Sequence, residues 1–308
     1  MNKHAITICA LLLALATGGL ALALIQKNAA SGPQQHSVPR PKIPKAISSE
    51  NFQRQADRDL IERLRKIEAA EITTKLDAVL VKPFVDDVNT RSLCVEGLEV
   101  SENQFPILHS IVLDCARILR VSPVPRVFVS ERPELSIAIE NFSEPVIVIH
   151  SSLLWRFQDG REQRFLIGRE FGHIIAGHVR WQTLSRSAQL CVNQTGFGAG
   201  PLKLLVLPLL QWTREAEMSA DNAGLICAQD IKIAERTLVS LATGVHDFAL
   251  HEIHVDEYLK QAGAQSLSGF SEVALFWKEL HKPTPFAPER IRQLREFEAS
   301  DRYRRLWN

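Results

Sequence analysis

None of the five cysteines stands in a CxxC pair, neither sign of charge is in excess, and only one stretch is apolar for long enough to cross a bilayer. Each shortage excludes something. Cys9, Cys94, Cys115, Cys191 and Cys227 are scattered, which argues against a cysteine-based zinc site. The four beyond the N-terminal run could pair as disulfides in an oxidising compartment. A formal net charge of +1 over 308 residues makes no case for a nucleic-acid partner. The run from Leu202 to Leu210 contains Lys203 and Pro208 and is too short to span a membrane; it reads as core or a membrane-facing loop. What remains is ordinary globular composition, 45% hydrophobic and 23% charged, enough for one sizeable domain with appendages.

The exception is Ala5 to Ile25, an apolar run long enough for an uncleaved membrane anchor, with a cleaved signal peptide as the rival reading. Residues 1–26 are therefore taken as signal anchor or signal peptide. Lys3 competes with Lys27, Arg40, Lys42 and Lys45, so positive charges do not choose an orientation. Residues 27–47, with Pro33, Pro39, Pro41 and Pro44, read as an extended linker. Residues 48–75 read as a charged helix capped by Ser48 or Ser49, with Leu60, Ile61, Leu64 and Ile67 on the face that packs.

Further on, Phe105 to Leu119 has the three-and-four recurrence of an amphipathic helix, stopped by Pro123 and Pro125. Arg126–Ser130, Leu135–Ile139 and Pro145–His150 read as strands, the last a continuous apolar run suited to burial. Ser151 or Ser152 caps a short helix. A long helix begins near Arg161, and another carries Trp212 to Leu225. The remainder to Leu306 reads as helices broken at Gly244, Gly263 and the prolines at 283, 285 and 288.

The chemistry concentrates in Phe165-Leu-Ile-Gly-Arg-Glu-Phe-Gly-His-Ile-Ile-Ala-Gly-His178. It reads as a helix bearing the zinc-protease pattern His-Glu-x-x-His with its first histidine replaced by Arg169. Residues four apart share a helix face, which is why two such ligands can hold one metal while the intervening glutamate addresses a bound water. Glu170 and His173 stand where that pattern wants them. Glu217 and Asp221, one turn apart on a second helix, supply a candidate third ligand and an outer partner. His178 is five residues after His173, about 140° round an unbroken helix, so it is expected to point elsewhere as a packed outer histidine. His251 and His254, three apart, and His281 are the other histidines weighed for the vacated position.

Together these segments resemble the M48 family of membrane-associated zinc metallopeptidases. Phe165 to His178 is similar to the family's H-E-x-G-H-x-x-x-G-H helix, Trp212 to Leu225 to its R-x-x-E-x-x-A-D segment, and Pro285-Phe-Ala-Pro-Glu-Arg-Ile to its late H-P-F-x-x-x-R-I segment. The resemblance covers residues 76–307. It implies a mostly helical α+β, zincin-like domain with a small sheet, and a cleft between a sheet edge and the motif helix. It implies zinc as cofactor, Glu170 as catalytic base, His173 and Glu217 as metal ligands, and His178, Asp221 and Arg290 around them. The implied partners are a polypeptide substrate or client and a membrane reached through the N-terminal segment, with no nucleic acid.

Three positions depart from the pattern. Thr284 stands where the late histidine is usual, and Ser136-Ile-Ala138 where Asn-Ala is common. Arg169 replaces a ligand with a group that stays protonated and cannot coordinate. The expectation is weak or absent zinc binding, with Arg169 reaching Glu217 or Glu170 and neutralising them. Function then divides into two readings: a membrane-tethered peptidase homologue with impaired hydrolysis, or a non-catalytic peptide-binding adaptor with a chaperone-like role.

Overall fold

The computed structural model describes residues 40–68, 93–131, 137–140, 144–185, 200–245, 252–263 and 284–308; of residues 200–207 it describes the backbone path alone. The apolar run at 5–25, most of the linker, Cys9, Cys191, His251 and His281 lie outside these residues. No described helix is long and apolar enough to cross a membrane.

The chain enters through a single 3-10 turn, Ser49–Asn51, where the Asn51 side chain accepts from the Ser48 backbone amide at 2.7 Å. Helix α1 follows only at Gln55–Glu68. The sequence reading expected one helix from about residue 50. The break exists because Phe52 dives into the main core and is 0% exposed, a burial that a straight surface helix would forbid. Strand β1 (Leu98–Glu99) is too short to leave a periodic trace and was not anticipated. Helix α2 spans Pro106–Leu119, with Phe105 at its N-cap in the left-handed region.

Strands β2 (Arg126–Ser130), β3 (Ile137–Glu140) and β4 (Val146–His150) complete a sheet ordered β1-β2-β4-β3. β2 and β4 are parallel; β1 and β3 run antiparallel to their neighbours. β4 is buried at all five positions because both sheet faces are covered. Ile147 and Ile149 join the main core, while Val146 and Val148 meet Phe128 and Leu93 on the other face. That explains an uninterrupted apolar strand. β3 lies at the edge of the sheet.

Helix α3 is Ser151–Arg156; His150, not a serine, holds the N-cap. Helix α4 (Gly160–Ile175) carries the motif. Asp159 caps it by accepting from the Arg161 amide at 2.8 Å, with Glu162 completing a capping box. Burial is the main reason the Glu162 carboxyl is raised to about 7. α4 does not continue to His178 as the sequence suggested. It ends at Ile175, Gly177 turns the chain with a φ of 71°, and residues 178–185 resume as helix.

Helix α5 runs unbroken from Gly200 to Ala228, through Pro208. The sequence reading treated 202–210 and the segment after Trp212 as separate; they are one helix, with Leu209 and Leu210 buried. The prolyl ring removes one helical hydrogen bond, and that burial offsets the loss. Helices α6 (Ile231–Thr243), α7 (Val255–Gly263), α8 (Ala287–Ala299) and the short α9 (Asp301–Arg304) close the domain.

α4 and α5 share the most extensive contact of any pair of described elements. The reason is a seam of small residues. A Cβ added at Gly168 would stand 2.7 Å from Cβ of Cys227, one at Gly172 would stand 2.6 Å from Cβ of Ala223, and one at Gly224 would stand 2.7 Å from the Phe165 carbonyl oxygen. Only without side chains at these points do the two backbones approach this closely. Cys115 and Cys227 are buried beside the seam and Cys94 is exposed, and none of the three forms a disulfide.

Candidate functional site

The close approach of α4 and α5 brings two sets of charges face to face. From α4, Arg169, Glu170 and His173 are all buried. From α5 come Glu217 and Asp221, one turn apart. Between them lies the guanidinium of Arg169. Its Nε donates to Oδ1 of Asp221 at 2.7 Å, its Nη2 donates to Oε2 of Glu217, and its Nη1 stands 3.9 Å from Oε1 of Glu170. Asp221 is bound from its other side by Arg290 on α8. Arg290 gives Nε to Oδ2 at 2.8 Å and Nη2 to Oδ1 at 2.7 Å. A guanidinium fork matches a carboxylate in this two-point manner, which a lysine could not reproduce.

Burial opposes ionisation of Glu217, but the charges of Arg169 and Arg290 overcome it and hold the carboxyl well below its ordinary range. The same carboxylates, against the cost of burial, raise Arg169 further above its already high value. His173 moves the other way: burial, assisted by His178 and Arg169, favours its neutral form. Its Nε2 lies 3.5 Å from Oε1 of Glu217.

The break at Gly177 changes the place of His178. An unbroken helix would have swung that side chain away. Instead its ring meets His173 edge-on, with the two Nδ1 atoms 2.9 Å apart. Gln182 also reaches the His173 ring, its Nε2 3.2 Å from Nδ1. On its far side His178 faces a residue that the sequence reading did not select. Nε2 of His178 is 2.9 Å from Oδ2 of Asp57, approaching off the straight hydrogen-bond line, and both residues are 0% exposed. The other oxygen of the Asp57 carboxylate, Oδ1, accepts from the indole Nε1 of Trp212 at 2.9 Å. Burial works against its charge, and the contacts from His178, Ser219 and Gln53 more than compensate, so its carboxyl sits below the usual value. No local signal marks Asp57: in Gln-Ala-Asp-Arg-Asp it looks like any residue of a solvated helix face.

The residues present do not fit the zinc ion that the family pattern implies. A metal at this point would sit against a fixed cation that already occupies Oε2 of Glu217 and Oδ1 of Asp221. Among the described residues no three side chains of His, Cys, Asp or Glu are grouped to hold a metal. Of the other histidines weighed, His254 lines an open cleft of about 570 Å³ between α6 and α7 together with Val239, Glu257 and Tyr258; His251 and His281 lie outside the described residues.

The comparisons with known proteins agree on kinship. The profile of the family described as Peptidase family M48 matches residues 102–298. The plastoglobule-localized metallopeptidase 48, chloroplastic, of Arabidopsis thaliana is 30% identical over 216 residues, covering 67% of this chain and 61% of the relative. The match thus spans about three fifths of that relative's length. No solved structure matches the chain.

Proposed function

The chain belongs to peptidase family M48, and on that premise we propose that it is a polypeptide-binding member whose hydrolytic centre has become an ion-pair lock. One observation carries this reading: Arg169 stands at a ligand position and bonds to both Glu217 and Asp221. A guanidinium offers donors and no lone pair for a metal. It also offsets part of the buried negative charge that would otherwise attract one. The helix pair therefore remains closed without a metal, and Glu170 has no activated water to deprotonate.

What the chain retains is the surface beside the site. β3 is an edge strand, and an extended peptide can add to such an edge through main-chain hydrogen bonds. In this reading polypeptide is bound there and not cut, as an adaptor or chaperone-like regulator would require. The apolar run at 5–25 tethers the domain to a membrane or lipid surface, in keeping with the plastoglobule localisation of the Arabidopsis relative.

The test is zinc content and casein-type proteolysis of the wild-type protein beside Arg169→His, together with binding of a fluorescent unfolded peptide. Wild-type protein is expected to contain no stoichiometric zinc and to bind peptide without cleaving it, while Arg169→His acquires zinc. Equimolar zinc or chelator-sensitive cleavage in the wild type overturns the reading.

A further inference from the structure

The buried carboxylate of Asp57 has no part in the ion-pair lock, and it comes from a segment outside the family-matched residues 102–298. We propose that Asp57 is a positioning residue of the site: it fixes the ring of His178, and through His178 fixes His173 with its Nε2 turned to Glu217. This goes beyond the polypeptide reading and stands whether or not β3 binds a peptide.

The argument begins with donors and acceptors. Two Nδ1 atoms 2.9 Å apart hold together only if one ring donates and the other accepts. An imidazole free to turn over about its Cβ–Cγ bond can present other atoms at that point. The Asp57 carboxylate, held ionised, is an acceptor only. Its Oδ2 stands 2.9 Å from Nε2 of His178, off the straight hydrogen-bond line, and a charged oxygen at that distance favours the ring form with hydrogen on that nitrogen. With Nε2 committed to Asp57, Nδ1 of His178 is committed to His173. With its own Nδ1 engaged, the His173 ring directs Nε2 toward Oε1 of Glu217, 3.5 Å away. This is how an outer carboxylate orients a site histidine through the nitrogen the site does not use, with His178 inserted as an extra link.

For such a role the carboxylate must itself be held in place, and contacts on several sides hold it. Trp212 holds its Oδ1. The backbone leading to it is fastened at several points: Phe52 fills the core, Asn222 Nδ2 donates to the Phe52 carbonyl at 2.9 Å, the Arg54 amide donates to Ser219 Oγ at 3.0 Å, and Arg54 Nε pairs with Glu215 at 2.7 Å. Trp212, Glu215, Ser219 and Asn222 recur at three and four along α5, so they form one face. α5 thus carries Glu217 and Asp221 toward α4 on one side and a seat for residues 52–57 on the next. His178 and Trp212, ring centroids 5.5 Å apart, close the space between the two.

A merely structural role for Asp57 would loosen the segment without altering the histidine rings in any specific way. The experiment uses full-length protein labelled with ¹⁵N in the histidine rings, read by long-range ¹H–¹⁵N correlation, with His173→Gln and His178→Asn to assign the signals. Asp57→Asn keeps size and an acceptor for Trp212 but turns an amide toward His178. Arg54→Ala weakens the same seat without touching a histidine. The expected result is that Asp57→Asn shifts the ring nitrogens of both His178 and His173, although residue 57 does not contact His173, and that Arg54→Ala shifts neither.

A shift confined to His178, or the same shift from Arg54→Ala, overturns the proposal. Should Asp57→Asn fail to fold, the wild-type protein still decides. Slowly exchanging ring N–H protons between His173 and His178 and facing Asp57 support the relay; rapid exchange at both overturns it.

Discussion

Arg290 grips Asp221 at two points, Nε to Oδ2 at 2.8 Å and Nη2 to Oδ1 at 2.7 Å, while the same Oδ1 also receives Nε of Arg169. One carboxylate therefore ties α8 and α4 to α5. Both arginines are about nine-tenths buried at this point, and Asp221 is almost wholly so. Asp221→Ala leaves two buried guanidinium groups short of their acceptor, and such losses typically cost about 3–5 kcal/mol. Urea denaturation followed by tryptophan fluorescence measures it. Asp221→Asn, which keeps one acceptor oxygen, should lose less. An Asp221→Ala variant within about 0.5 kcal/mol of wild type, the range of a neutral surface change, would contradict this account.

The lock predicts a pH dependence with a definite sign. Glu217 and Asp57 have folded values below their ordinary 4.5 and 3.8. Each therefore contributes stability that is present above the ordinary value and is lost as pH falls through the lower folded one. His173, ordinarily 6.5 and lowered chiefly by burial, acts in the same sense from a higher starting point. Glu162, raised to about 7, works in the opposite sense over the same interval, so thermal melts should show little net change between about pH 6.5 and 4.5 and a decline below about pH 4.5. In Arg169→Met the dominant influence left on Glu217 is burial, which raises its carboxyl. The variant's deficit relative to wild type should then be largest at neutral pH and shrink on acidification. A deficit independent of pH would show that Arg169 acts through packing alone.

Spacing between α4 and α5 is the third point of attack. Gly172→Ala places a methyl group 2.6 Å from Cβ of Ala223. Overpacking of this kind costs about 1–3 kcal/mol, and the separation it forces should also weaken the bonds from Arg169 to Glu217 and Asp221. Ala223→Gly in the same chain removes the opposing methyl. The double variant should recover part of the loss beyond the sum of the single effects, a coupling that a double-mutant cycle measures. Strict additivity would mean that the two residues do not meet.

Much of this architecture is legible in the sequence, for physical reasons. β4 is recognisable because a strand covered on both faces must be apolar throughout, and β2 by the apolar residues 127–129 between its polar ends. The pairing of Glu217 and Asp221 follows from helical period. Asp57 was not legible because burial of a carboxylate in a helix of mixed charge depends on partners 121 and 155 residues away in sequence, namely His178 and Trp212. The orientation of His178 was misjudged because the 3.6-residue period was carried across Gly177, where the chain leaves the helix. Pro208 misled for the opposite reason: it signals a break, yet buried leucines on its C-terminal side hold the helix through it. Of the readings for Arg169, contact with Glu217 or Glu170 was anticipated; the shared grip on Asp221 with Arg290 needed the fold.

The cation at the centre of this site is covalently part of the chain. A bound ion stabilises a fold only in proportion to the logarithm of its concentration over its dissociation constant. Arg169 has no such dependence. Every molecule emerges from synthesis with the position filled, and no fluctuation in metal supply, competing ion or chelator can empty it. If the site binds no zinc, as proposed, the stability of the α4–α5 pair does not vary with the metal content of its surroundings.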